Sequence, residues 1–147
     1  ANLNSDKQVV ICGLKENFEN FKDKHQLGKF IPLNVSAPFH SELMVKSSKL
    51  FLEKTANVKF NKIDLDIISN HQLKNYRELD EFEYINQLSL QIHSPVMWSD
   101  TMKKIISNNT NTFIEIGPKK TLLNLISKNF EGSKICISNI NEMDINV

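Results

Sequence analysis

Apolar residues along the chain follow both strand-like and helix-like patterns. Short apolar runs predict five strands, at residues 8–12, 29–35, 63–69, 112–116 and 134–138. Apolar side chains three and four residues apart predict five helices, at residues 15–26, 41–56, 83–92, 97–108 and 121–128. Strands that alternate with helices are typical of an α/β fold with a largely parallel sheet. Residues 8–35 are expected to form a β-α-β unit, residues 71–81 a polar loop, and the tail from Asn139 a frayed end.

Composition and charge narrow the class of protein. The 147 residues are 40% hydrophobic and 24% charged, which is the profile of a globular domain with a real core. A net charge of +1 argues against nucleic acid or an anionic membrane as a partner. No run of 18 apolar residues predicts a membrane span, and the polar start Ala1–Asp6 does not resemble a signal peptide. Cys12 and Cys136 lie in apolar runs and are expected to be buried thiols in a reducing compartment.

One histidine lies at a predicted strand end, a position where ligand-binding and catalytic residues are common in α/β folds. The predicted strand 29–35 leads into a turn at Pro38, and His40 stands at this turn, directly before a predicted helix. Ligands of open α/β sheets bind outside the carboxyl ends of the strands, where a histidine can transfer protons near neutral pH. The spacing alone fits equally well a histidine that only caps the turn. The other histidines, at positions 25, 71 and 93, have no motif support and are expected on the surface or in loops.

The sequence contains no recognisable nucleophile motif. The spacing of the four glycines excludes a Gly-x-Ser-x-Gly elbow, a dinucleotide-binding loop and a phosphate-binding loop. No Cys-x-x-Cys or His-Glu-x-x-His occurs, which argues against a zinc site. The residues by themselves therefore predict an α/β crevice with one good base and several amides, but without a nucleophile.

Several motifs together resemble those of a known family. Val35–Ser41 reads Val-Ser-Ala-Pro-Phe-His-Ser, Ser69-Asn70 follows, and Gln91 precedes Ser-Pro-Val-Met-Trp at fitting distances. With residues 2–13 and the stretch 113–122, their order resembles the C-terminal half of malonyl-CoA:acyl carrier protein transacylases. Lys119 stands where that family usually has glycine. The resemblance covers nearly the whole chain.

The resemblance implies a fold and a division of the chain. It implies a parallel-sheet acyltransferase (hydrolase-like) α/β core, at residues 36–147, and part of a small ferredoxin-like subdomain, at residues 1–35. The family's nucleophilic serine and its malonyl-binding arginine lie upstream of the matched region, and Arg77, in a polar stretch, does not replace that arginine. The chain is therefore expected to be a fragment of the full fold, inactive alone, with the N-terminal half of the same protein as a partner.

The resemblance also assigns roles to residues. It implies transfer of a malonyl group from coenzyme A to the pantetheine thiol of acyl carrier protein, through a malonyl-serine, in fatty acid biosynthesis. His40 would be the catalytic base, oriented by a main-chain carbonyl near Gln91. Gln91, Phe39, Asn4 and Asn70 would bind substrate, and the Phe39 ring would favour malonyl over methylmalonyl. Malonyl-CoA and acyl carrier protein are the implied partners, with no metal and no further cofactor.

Three other interpretations stay open at this point. The chain could belong to the acyltransferase domain of a polyketide synthase, to a non-catalytic homologue that binds carrier protein, or to an unrelated hydrolase. The expected compartment is the cytoplasm, with a plastid or a mitochondrion as the alternative.

Overall fold

A computed structural model describes residues 1–25 and 28–139, so the predicted frayed tail beyond Asn139 lies outside the described residues. Helices and strands alternate only in part. The strands are β1 (Asn2–Ser5), β2 (Gln8–Val10), β3 (Thr112–Ile116) and β4 (Ser133–Ile137). The α-helices are α1 (Lys15–Lys24), α2 (Val45–Thr55), α3 (Glu81–His93) and α4 (Trp98–Ser107). Short 3₁₀ turns occur at Glu42–Met44, Tyr76–Glu78 and Leu123–Leu125.

The strands form two separate pairs. β3 and β4 are parallel, in register from Thr112 and Ser133 to Ile116 and Ile137. β1 and β2 form an antiparallel hairpin. The predicted β-α-β unit over residues 8–35 is therefore wrong. β2 pairs with the strand just before it, through a tight turn, and residues 29–35 contain no strand.

Two apolar runs predicted as strands do not form them. Residues 29–35 and 63–69 are irregular, apart from an isolated bridge between Ile68 and Asn75. A strand requires a neighbour for its main-chain groups, and none of the described residues supplies a ladder along either run. Their apolar side chains are largely exposed, at 68% for Ile31 and 73% for Leu65.

The ends of α3 have clear local causes. Asp80 and Glu83 form a reciprocal capping box, in which Asp80 Oδ1 accepts from Glu83 N–H at 2.8 Å and Asp80 N–H donates to Glu83 Oε2 at 3.1 Å. The helix therefore begins two residues earlier than the apolar pattern predicts. It ends at His93 because Pro95 disfavours helical backbone at the residue before it, and Ser94 is extended at φ −103° and ψ 152°.

Two groups of buried residues hold these elements together. Met102, Leu123 and Ile126 form a core cluster, and the residues packed against it are Trp98, Ile105, Phe113, Phe130 and Cys136. The helix predicted at 121–128 is reduced to one 3₁₀ turn, because Ile126 is extended and buries its side chain in this cluster. On α2 and α3, Ser48 and Ser89 are both buried and their hydroxyls lie 2.6 Å apart, so the two helices approach closely.

The predicted loop at 71–81 is a loop up to the start of α3, with one 3₁₀ turn, but it is not polar throughout, because it contains a buried tyrosine, Tyr76, which is only 5% exposed. The expectation for the two cysteines is wrong. Cys12 is exposed and Cys136 is half-buried, so they are not a pair of buried thiols. The boundary predicted at residue 35 stays a prediction.

Glu115→Gln is expected to destabilise the turn that follows β3. The Glu115 carboxylate accepts hydrogen bonds from the main-chain N–H groups of Leu122, at 3.0 Å, and Leu123, at 2.9 Å. These bonds lower the pKa of Glu115 below its ordinary value of 4.5. Because the folded pKa is depressed, the stabilisation is present above pH 4.5 and is lost as the pH falls through the lower folded pKa.

Thermal unfolding of both proteins between about pH 7 and about pH 3 measures this effect. We expect a lower Tm for Glu115→Gln at neutral pH and convergence of the two proteins in acid. Glu131→Gln, which removes an exposed carboxylate before β4, is the matched control. Equal Tm values at neutral pH, or a gap that persists in acid, would contradict the capping role.

Candidate active site

The candidate site is assembled around the chain that leaves α3. We call residues 92–97 the exit segment. Because Ser94 is extended and Pro95 has no N–H, the main-chain groups here are available to partners from elsewhere in the chain. Three remote segments use them. The bonds run from His40 N–H to Ile92 O (3.0 Å), from Leu3 N–H to Val96 O (2.8 Å) and from Met97 N–H to Asn70 O (2.6 Å).

The His40 ring is also tied to the exit segment. Its Nδ1 lies 3.2 Å from the main-chain oxygen of Ser94. A carbonyl oxygen only accepts hydrogen bonds, so Nδ1 must carry the proton, and in the neutral ring Nε2 carries the lone pair. The ring is half-buried, and none of the described residues hydrogen-bonds to Nε2. This is the orientation that a general base needs.

His40 adopts a backbone conformation that side chains rarely take. Its φ is 61°, in the left-handed region. For a residue with a Cβ this conformation costs on the order of 1–2 kcal/mol, and such strain is concentrated at functional sites. The bonds to Ile92 and Ser94 hold the residue there. In the same turn, Ser41 Oγ donates to Pro38 O at 2.6 Å.

Gln91 and Asn70 border a mainly apolar cavity of about 380 Å³. Gln91 Nε2 donates to the hydroxyl of Tyr76 at 2.9 Å. Asn70 Oδ1 is buried and has no hydrogen-bond partner among the described residues. The other residues that line the cavity are Phe60, Ile63, Ile67, Ile68, Tyr76, Tyr84 and Leu88. Two side-chain amides therefore border the same cavity next to the exit segment.

Sequence reasoning missed Tyr76. Burial raises the pKa of its phenol above the ordinary value of 10.0, although the hydrogen bond from Gln91 acts in the opposite direction. The hydroxyl is therefore neutral at physiological pH. The sequence feature that could have indicated its burial is a large aromatic residue in an otherwise polar stretch. The structure also places His71 Nδ1 3.3 Å from the main-chain oxygen of Pro95, a contact that no motif indicated.

The other two predicted site residues lie at the margins. Phe39 precedes His40 and is 49% exposed, so its ring is not part of the described core. Asn4 lies in β1, half-buried, and β1 reaches the exit segment through a bridge between Asn2 and Val96. No hydrogen bond joins Asn4 to His40 or Gln91 within the described residues. The structure thus brings His40, Gln91 and Asn70 to the exit segment, with Phe39 and Asn4 near it.

Two other kinds of feature are absent from residues 1–25 and 28–139. No group of three or more His, Cys, Asp or Glu side chains is placed to hold a metal ion there. None of the helices in this part of the chain has the length and apolar character needed to span a membrane. Lys119 is not among the described residues with positive φ, so a side chain is accommodated without strain where the resembling family has glycine.

Relatives with known names match most of the chain. A malonyl CoA-acyl carrier protein transacylase of Bacillus subtilis is 34% identical over 131 residues, which are 87% of this chain and 41% of that protein. The chain is similar to malonyl CoA-acyl carrier protein transacylases. One of these transacylases, named for polyketide biosynthesis in Bacillus velezensis, is 34% identical over 132 residues, which are 87% of this chain and 45% of that protein. No protein-family model matches.

The fold is that of the same transacylases. A solved structure titled as a type II polyketide synthase acyl carrier protein in complex with its malonyl-transacylase matches with a TM-score of 0.86 and 27% identity. The match covers 95% of this chain and 46% of that chain. The predicted α/β acyltransferase fold is therefore confirmed, and the chain spans less than half the length of the relatives it matches.

Proposed function

We propose that the protein to which this chain belongs transfers a malonyl group from coenzyme A to the phosphopantetheine thiol of acyl carrier protein. The observation that carries the proposal is the geometry of His40. Its Nδ1 donates to Ser94 O, which leaves the Nε2 lone pair available as a base. This arrangement occurs in a chain similar to transacylases whose names state that reaction.

In the first half-reaction, a serine hydroxyl attacks the thioester carbonyl of malonyl-CoA. His40 Nε2 takes the hydroxyl proton as the oxygen–carbon bond forms. The carbon–sulfur bond then breaks, and the same nitrogen returns the proton to the departing thiolate. The products are malonyl-serine and free coenzyme A. The serine belongs to a part of the protein outside these 147 residues, so the proposal includes that this chain alone does not catalyse transfer.

In the second half-reaction, His40 activates the pantetheine thiol of the carrier protein. Nε2 takes the thiol proton, the sulfur attacks the ester carbonyl, and the serine oxygen leaves with that proton. His40 is again neutral at the end, because each half-reaction takes up and returns one proton. The Ser94 carbonyl oxygen stabilises the transient imidazolium, because it accepts a hydrogen bond from Nδ1.

The remaining site residues have binding roles in this proposal. Gln91 and Asn70 offer amide groups to the substrate beside the exit segment. Phe39 contacts the malonyl group next to the base, and Asn4 borders the crevice from β1. The rest of the protein covers the exposed apolar runs at residues 29–35 and 63–69. In that setting malonyl-CoA and acyl carrier protein are substrates, and no metal or further cofactor takes part.

Polyketide biosynthesis is a second candidate role. It is favoured by the Bacillus velezensis relative, whose name states that pathway, at the same 34% identity as the Bacillus subtilis transacylase. The chemistry is the same in both roles and only the carrier protein differs. Rates of malonyl transfer to a fatty-acid carrier protein and to a polyketide carrier protein distinguish them, and we expect the fatty-acid carrier to be preferred.

His40→Ala in the whole protein is expected to lower the rate of malonyl transfer about 10²–10⁴-fold, which is the usual contribution of positioned acid–base catalysis. The measurement is the formation of malonyl-carrier protein, followed by mass spectrometry. His25→Ala removes an exposed histidine at the end of α1 and is the matched control, expected within about twofold of the unmodified protein.

Full activity of His40→Ala would contradict the assignment of the base. No activity in the unmodified whole protein, combined with tight binding of carrier protein, would favour the non-catalytic homologue instead.

Phe39→Ser in the whole protein is expected to shift selectivity toward methylmalonyl-CoA. Removing the ring makes room for the α-methyl branch, and one methyl group in a pocket changes kcat/KM ratios by about 10-fold or more. The measurement is the ratio of kcat/KM for malonyl-CoA and methylmalonyl-CoA. Phe82→Ser, at a ring that is 79% exposed on α3, is the control and should leave the ratio unchanged. An unchanged ratio in Phe39→Ser would refute the role of this ring.

A further inference from the structure

We propose that Tyr76 is a positioning residue that fixes the carboxamide of Gln91 for its part in malonyl transfer. The inference rests on the proposed function, because Gln91 is assigned to the active site there. It concerns a residue outside the motifs that indicate the family, in a stretch where the sequence pattern predicts only a polar loop.

The contact between the two side chains is direct. Gln91 Nε2 donates to the Tyr76 hydroxyl at 2.9 Å, and both residues line the cavity that Asn70 also borders. Gln91 stands three residues before Ser94, whose carbonyl oxygen holds the His40 ring. The Gln91 side chain and the carbonyl that orients the His40 ring therefore belong to the same short stretch of chain.

Tyr76 is itself rigidly held. It is only 5% exposed, and its ring lies against Tyr84 with centroids 5.9 Å apart. Its main-chain N–H donates to Ile67 O at 2.8 Å. The Asn75 side chain accepts from the N–H groups of Ile67 and Arg77, both at 3.2 Å, which fixes the turn on both sides of Tyr76. The hydroxyl is thus a fixed point for a flexible side chain.

A glutamine side chain needs such a fixed point to act reproducibly on a substrate. Its amide offers two N–H donors and one oxygen, which differ in chemistry but not in shape. With one N–H bonded to Tyr76, the other N–H and the oxygen keep defined directions. A preorganised donor stabilises charge that develops on a reacting carbonyl, whereas a rotating donor must be ordered first. Loss of the hydroxyl therefore lowers transfer only through Gln91.

A double-mutant cycle in the whole protein tests this inference. The four proteins are the unmodified one, Tyr76→Phe, Gln91→Ala and the double variant, and kcat/KM for malonyl-CoA is measured for each. Tyr76→Phe keeps the ring and removes only the hydroxyl. We expect it to lower kcat/KM about 5- to 10-fold alone, and by less than about twofold in the Gln91→Ala background.

Thr55→Val is the control, because it removes a half-buried hydroxyl that bonds only within α2, to Phe51 O at 2.7 Å, and that does not line the cavity. It should change kcat/KM by less than about twofold. In parallel, the side-chain amide signals of Gln91, assigned by their loss in Gln91→Ala, should shift in the NMR spectrum of Tyr76→Phe and stay in place in Thr55→Val.

Equal effects of Tyr76→Phe in both backgrounds would overturn the proposal and indicate a general structural role. No effect in either background, or unmoved Gln91 amide signals, would also overturn it. These results leave the proposed function intact, because the unmodified protein is active in them. An inactive unmodified protein is a different result: it refutes the proposed function, and the positioning role is then refuted with it.

Discussion

The end of α3 at Ser94 and Pro95 is the constraint on which the candidate site depends. A proline at position 95 cannot donate a main-chain hydrogen bond and forces the residue before it out of helical geometry. The last carbonyls of a helix have no partner within the helix and must find one elsewhere. Here His40, β1 and Asn70 all bond to the exit segment. Segments more than 90 residues apart in sequence are thereby held at one place.

This construction fixes the chemistry of the histidine. A carbonyl oxygen at Nδ1 selects one tautomer of the neutral ring, and a second carbonyl holds the main chain of His40 in a strained conformation. Both partners are main-chain atoms, so they do not depend on the identity of a nearby side chain. The side-chain amides of Gln91 and Asn70 and the hydroxyl of Tyr76 form the part of the candidate site that substitution can alter.

The sequence predicts the helices better than the sheet, and the reasons are physical. α3 and α4 were found because helical bonds are local and the apolar spacing of Tyr84, Leu88 and Trp98 records which face is inward. The runs 29–35 and 63–69 have the composition of strands, but a strand also requires a partner, which no local pattern specifies. The helix predicted at 121–128 is also wrong because of a contact that no local pattern specifies. Ile126 is extended and packs its side chain into the core cluster.

The residues of the candidate site that belong to motifs could be predicted from the sequence. Those that reach the site only through tertiary contacts could not. His40 and Gln91 were predicted from motif order, and the structure bonds the His40 ring to the carbonyl of Ser94, three residues after Gln91. Left-handed backbone at His40 gave no clear signal, because histidine is only enriched at positive φ and does not mark it as strongly as glycine does. Tyr76 was hidden because its burial arises from packing against Tyr84 and not from any periodicity.

The most direct test of the proposed role of His40 is the tautomer of its ring, read from the ¹⁵N chemical shifts of histidine-labelled protein at a pH where the ring is neutral. The signal is assigned by its disappearance in His40→Ala. We expect a protonated Nδ1 and an unprotonated Nε2, because Ser94 O accepts a hydrogen bond from Nδ1. A protonated Nε2, or the mixture of tautomers that a free imidazole shows, would contradict it.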